Sequence, residues 1–121
     1  MSVKINIEEK FKLFQDHWNP RIVAELNGQH VKLAKLHGEF VWHSHEEEDE
    51  LFYVVKGQLE MHFRDRIEFL NEGEMIMVPR GVEHCPVAKE EVHVLLFEPA
   101  STVNTGSNSE SALTRERLDR I

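Results

Sequence analysis

Residues 38–50 read Gly38-Glu39-Phe40-Val41-Trp42-His43-Ser44-His45-Glu46-Glu47-Glu48-Asp49-Glu50, and this stretch lies between two strand-like runs. Two histidines at i and i+2 on an extended strand point to the same side, so the imidazoles of His43 and His45 can converge on one ion. A neighbouring carboxylate offers an oxygen ligand, and a distant histidine can complete a mixed nitrogen and oxygen site. Such a donor set suits iron, manganese, nickel, copper or zinc better than calcium or magnesium. The alternative reading is a solvated acidic loop that happens to contain two histidines. Context has to decide between them.

Outward from this stretch the chain is written in short strands. Residues 22–26 lead into Asn27-Gly28, a strong signal for a two-residue hairpin turn, and residues 29–37 return as a strand. Residues 51–56 form another, followed by a turn at Gly57-Gln58. Residues 59–64 alternate apolar and polar, which places Leu59, Met61 and Phe63 on a buried face. Residues 66–70, 74–78 and 92–97 give three more strands, with Asn71-Glu72-Gly73 as a turn. Many short strands with turn residues between them indicate a sandwich or a closed barrel. Asn6 followed by Glu9 reads as a capping box that opens a short helix over residues 7–15. Residues 101–111 are rich in Ser, Thr and Asn and read as a loop, and residues 113–121 as a terminal helix. No internal repeat or second domain is visible.

Composition narrows the function. A chain of 121 residues fits one domain with a core of its own. With 22 acidic against 14 basic residues the net charge is −8, which argues against nucleic-acid or anionic-membrane partners. No apolar run approaches the roughly 18–20 residues that cross a bilayer, and the first residues lack the pattern of a signal peptide. The lone Cys85 cannot form an internal disulfide and suits a reducing cytoplasm.

The spacing of residues 38–88 resembles the two motifs of the cupin superfamily. Gly38, then His43 and His45, then Glu50 after four intervening residues, then Gly57 after six, follow the first motif. Gly73, Pro79-Arg80-Gly81 and His84 follow the second, with fifteen residues between Gly57 and Gly73 as in a compact cupin. Two positions depart from the pattern: four residues, not five, separate Gly38 from His43, and Ala88 stands where the second motif ends in Asn. The resemblance is closest to the small single-domain cupins labelled as similar to mannose-6-phosphate isomerase.

The resemblance implies an all-β fold: one antiparallel cupin β-barrel of jelly-roll type over about residues 20–99, with the short helix before it and the loop and helix of residues 100–121 after it. It implies one divalent transition metal ion held by His43, His45, Glu50 and His84. The activity it implies is that of a metal-dependent enzyme on a small polar organic substrate, of dioxygenase or isomerase type. A non-catalytic metal or ligand binding module and a sugar or sugar-phosphate isomerase are the other two classes. Small cupins commonly pair, so a homodimer is expected, joined through the segments before Gly38 and after Val92.

Other residues weigh less. Cys85 follows His84 directly and faces the other way on a strand, as a buried small side chain. His62 alternates away from Met61 and Phe63, toward the surface. His93 shares a face with Leu95 and Phe97, inside the barrel or in an interface. Trp42 and Ser44 point away from the side that His43 and His45 share, and Glu46, Glu47, Glu48 and Asp49 read as a solvated loop. Arg80 and Lys35 are the cations placed to reach a pocket mouth, although a solvated face explains both equally well.

Overall fold

The computed structural model describes residues 2–121. Seven strands, β1 (Arg21–Leu26), β2 (Gln29–Glu39), β3 (Glu50–Lys56), β4 (Leu59–Phe63), β5 (Ile67–Leu70), β6 (Met75–Val78) and β7 (His84–Pro99), pair antiparallel in one curled sheet. Asn27 and Gly28 both take positive φ, 49° and 77°, so the β1–β2 hairpin closes through the two-residue turn that the sequence predicts. Gly57 and Gly73 also lie at positive φ, as expected of their turns.

The long β7 organises the barrel. Its first half, from His84 to Val87, pairs with β4, and its second half pairs with β3. β2 runs beside it along both halves, with an irregularity between Leu36 and Gly38 where the sheet bends. The sequence reading saw only residues 92–97 of this strand. Pro86 and the run Lys89-Glu90-Glu91 break the alternation; β4 and β2 supply backbone partners for residues 84–88, and Lys89-Glu90-Glu91 lie at the irregularity of the β2–β7 ladder.

Inward-facing side chains of this sheet, among them Leu36, Phe52, Val54, Leu59, Met61 and Val94, form the main core. Each contributes about 1.5–3 kcal/mol by leaving water. A smaller cluster lies on the outer face of the sheet, where Phe11 and Phe14 cover Leu33.

The opening helix, α1, is Ile7–Phe11, shorter than the expected residues 7–15. Its cap is as read: the Asn6 side chain accepts the Glu9 N–H at 2.9 Å. The chain then leaves the helix and lays Phe14 on the sheet, where the guanidinium of Arg21 sits 4.5 Å above its ring.

The terminal helix over residues 113–121 is not formed, which corrects that expectation. Residues 101–119 run as turns and bends, and Arg120 bridges Ile22 in parallel. Leu113, Leu118 and Ile121 offer too few apolar positions to bury a helix face. The tail instead finds backbone partners on β1, with Ile22 donating to the Asp119 carbonyl at 2.9 Å and Ile121 to that of Ile22 at 3.0 Å. Among the described residues no helix is long and apolar enough to cross a membrane.

Candidate metal centre

His43, His45, Glu50 and His84 meet inside one end of the barrel, all buried, with one potential ligand atom from each lying within 4.8 Å of the others. His43 is fastened to the first residue of β7 by a pair of backbone hydrogen bonds with His84. Glu50 opens β3 and pairs with Val78, just before the Pro79-Arg80-Gly81 turn that delivers His84. That turn is tied back to the histidine loop, because Gly81 N–H donates to the His45 carbonyl at 2.7 Å. Asp49, read from sequence as a solvated acid, accepts the Arg80 N–H at 2.9 Å and so helps to set the turn.

Hydrogen bonds orient two of the rings. His43 Nδ1 lies 2.8 Å from the Val41 carbonyl and His84 Nδ1 lies 2.9 Å from that of Val82. A carbonyl only accepts, so each Nδ1 carries the proton and each Nε2 presents a lone pair to the centre. Glu50 Oε1 sits 3.2 Å from His84 Nε2 and 3.3 Å from His45 Nε2. The second of these contacts is misaligned for a hydrogen bond. Both ring nitrogens of His45 are therefore buried without a partner. A buried polar atom left unpaired costs about 1–3 kcal/mol, and a cation among the four side chains would use the inward lone pair. The donor set of three imidazoles and one carboxylate fits a divalent transition metal.

The electrostatics keep the group in ligand-ready form. Burial, reinforced by the neighbouring His84, pushes the His43 imidazole down to about 4, so it is neutral at ordinary pH. Burial alone would raise Glu50, but the close approach of the His45 and His84 imidazoles outweighs it and holds the carboxyl well below the usual carboxylate range.

The loop after β7 closes over His45. Ser107 N–H donates to the Ser44 carbonyl at 2.9 Å, and Ser44 N–H donates to Ser107 Oγ at 3.0 Å. Gly106 lies so close beneath that a Cβ there would overlap the Ser44 carbonyl and come within 3.0 Å of His45 Nδ1. The Ser/Thr/Asn-rich segment is thus a cover for the site as well as a loop.

Two residues escaped the sequence reading. Glu98 and Lys32 are buried together in the barrel, with Lys32 Nζ donating to Glu98 Oε1 at 3.1 Å. Burial, and then the charge of Glu50, push the Glu98 carboxyl well above the carboxylate range. The signal was present: Glu98 continues the buried series Val92, Val94, Leu96, and Lys32 begins the series Lys32, Ala34, Leu36.

The remaining candidates separate cleanly. Lys35 is not at the mouth of the site, because it points to the outer face of the sheet, where Nζ donates to the Phe14 carbonyl at 2.7 Å. Arg80 is exposed and borders a shallow cleft with Asp49 and Glu50. His93 lies outside the barrel, stacked on Phe11 with ring centroids 4.5 Å apart. His62 is half-exposed and bonded to Glu60. Cys85 is buried, faces away from the centre, and has its thiol pushed up to about 11 by that burial.

Residues 29–98 match the cupin domain family, and the chain belongs to it. It is similar to a cupin-2 domain containing protein from Shewanella frigidimarina NCIMB 400, with 50% identity and a TM-score of 0.78 over 78% of this chain and 93% of the other. Protein NMB1881 from Neisseria meningitidis shares 29% identity, with a TM-score of 0.74 over 81% of this chain and all of that one (100%). Among curated proteins, the uncharacterized YdbB of Bacillus subtilis (strain 168) is 36% identical over 63 residues, 51% of this chain. That match spans 56% of YdbB, a little over half its length.

Proposed function

We propose that the chain is a metal-dependent cupin enzyme acting on a small organic substrate, its ion held by His43, His45, Glu50 and His84. The observation that carries this reading is the pair of unpartnered, buried ring nitrogens on His45 amid three other inward-facing donors. A divalent ion in such a set supplies Lewis acidity toward a coordinated oxygen or, if redox-active, a place for dioxygen. The protein's own part is to fix the tautomers of His43 and His84 through the Val41 and Val82 carbonyls, keep Glu50 ionised and cover His45 with the Gly106 loop.

The test is elemental analysis of natively purified protein, paired with oxygen-uptake and product assays on a panel of small oxygenated compounds. Iron with substrate-dependent oxygen uptake selects dioxygenase chemistry, whereas another metal with isomerised product and no uptake selects isomerase chemistry. A metal-loaded protein that binds panel members but turns none over would instead identify a binding module. Metal-free protein that refuses metal on titration refutes the reading altogether.

A further inference from the structure

The cavity beside the candidate centre has an unusual distribution of polar atoms. It is small, ≈ 30 Å³, and its walls are mostly apolar, with Trp18, Leu36, Phe40, Phe52 and Leu96 among them. Among the described residues no Lys or Arg lines it. Of the polar side chains that do, most are already committed. Trp18 Nε1 donates to the His37 carbonyl at 2.9 Å. Asn104 gives its amide N–H to the Leu113 carbonyl at 2.9 Å and accepts the Arg115 N–H at 2.8 Å. His43 and Glu50 face the centre. What is left over is Glu98 Oε2, buried and without a hydrogen-bond partner, while Lys32 holds the other oxygen of the same carboxyl.

We infer that this cavity takes a small uncharged molecule with one oxygen for the centre, a hydrocarbon body for the apolar walls, and one further hydroxyl read by Glu98. The inference rests on the metal reading proposed above and adds the ligand class and the residue that selects it.

The excluded classes follow from the same atoms. A carboxylate or phosphate would enter a cavity that already holds the Glu50 carboxylate and would meet no cationic side chain, since among the described residues no Lys or Arg lines it. Such a charge has no compensation for its lost hydration. A sugar brings several hydroxyls, each needing a partner when buried, and the cavity offers one unfilled position. The lining therefore argues against the sugar and sugar-phosphate alternative. It favours a molecule of a few heavy atoms carrying two oxygen functions.

A site with a buried group meant for a ligand hydroxyl discriminates strongly against the analogue that lacks it. The test loads the full-length protein with Co(II) and follows its visible spectrum during titration with three size-matched probes. Hydroxyacetone carries the carbonyl and the hydroxyl, 2-butanone replaces the hydroxyl by methyl, and pyruvate replaces the hydroxymethyl group by a carboxylate. Co(II) stoichiometry is measured first, so a protein that takes up no cobalt fails at the metal reading, before the probes are added. In the loaded protein, hydroxyacetone is expected to bind at least about tenfold more tightly than either analogue.

Glu98→Gln, which keeps a hydrogen-bonding group, should retain that preference. Lys32→Met/Glu98→Leu removes both members of the buried pair, so that neither is left uncompensated. It should bind cobalt in the same stoichiometry yet treat hydroxyacetone and 2-butanone alike. The inference is overturned by tighter binding of pyruvate, by equal or absent responses to the three probes, or by an undiminished hydroxyacetone preference in the double variant.

Discussion

His43 and His84 are joined backbone to backbone: each donates its N–H to the carbonyl of the other, at 3.1 and 2.9 Å, and their rings lie 4.3 Å apart. Two donors from segments far apart in the sequence are thus set by one antiparallel bridge and need no external ion to be brought together.

Because the four donors are pre-assembled, wild-type protein should hold about one metal ion per chain. His84→Ala should weaken binding beyond the roughly 10–100-fold typical of losing a supporting residue, and His45→Ala/His84→Ala should abolish it. Titration calorimetry with elemental analysis measures both. Full occupancy of the double variant would place the ion elsewhere.

Removing the metal should not unfold the chain. The main core of Leu36, Phe52, Val54, Leu59, Met61 and Val94 is continuous without the site. An ion at about 100 times its dissociation constant adds roughly 2.7 kcal/mol to the native state, which for a domain of this size moves the melting temperature by on the order of ten degrees. Chelated protein is expected to keep its β circular dichroism and to melt cooperatively at the lower temperature. A disordered chain at room temperature would mean that the ion makes the fold.

Gly106→Ala should loosen the cover over His45. The position has φ +48°, and the added methyl would collide with the Ser44 carbonyl. A loss of about 1–3 kcal/mol is expected, together with weaker metal binding. Gly28→Ala is the control, since it also sits at positive φ but in open space. It should lower the melting temperature and leave metal affinity alone.

The acid edge of the stability profile should involve Glu91. Its carboxylate receives His17 Nε2 at 2.7 Å and His93 Nε2 at 3.2 Å, and those hydrogen bonds lower its pKa below the ordinary 4.5. A folded-state pKa below the unfolded one gives stabilisation that is present above 4.5 and is lost as pH falls through the folded value. Melting temperatures measured stepwise downward from about pH 5 should therefore fall less steeply in His17→Gln/His93→Gln than in wild type. Identical slopes would remove Glu91 from the account.

A second copy of the chain is the expected partner, and the outer sheet face places it across β6 and β3 as well as the segment after Val92, rather than on the segment before Gly38. Phe97, Leu51 and Met77 stand side by side across β7, β3 and β6, and Leu95, Tyr53 and Met75 form the next row. Met75 and Met77 are more than half exposed, at 59% and 53%, a costly display for an isolated domain. Light scattering at micromolar concentration should give twice the mass of one chain, and Met77→Glu should halve it. A wild-type monomer would refute the pairing.

The barrel was readable because its strands carry local signals: the Asn27-Gly28 turn, the alternation of Leu59, Met61 and Phe63, and the fixed spacing from Gly38 to His84. The four candidate donors came from the resemblance of that spacing to the cupin motifs. What escaped depends on neighbours that no local window contains. Residues 84–88 look unlike a strand until β2 and β4 are beside them. Lys32 and Glu98 do share the inward phase of Ala34 and Leu36 and of Val94 and Leu96, but the partner that lets each charge be buried is visible only once the sheet curls. The helix expected over residues 113–121 gave way to pairing with β1, and Lys35 could be placed only once Phe14 was seen to lie across it.

The length of β7 also shapes how the chain is born. During translation β2, β3 and β4 leave the ribosome before the strand that joins them has been made, so nearly the whole barrel waits on residues 84–99. Until then the nascent chain can close only the β1–β2, β4–β5 and β3–β6 pairs. Pairings so distant in sequence form slowly, and the open edges are exposed to other chains meanwhile. Truncations ending before β7 should therefore be captured by chaperones, and full-length nascent chains released from them only once this last strand has emerged.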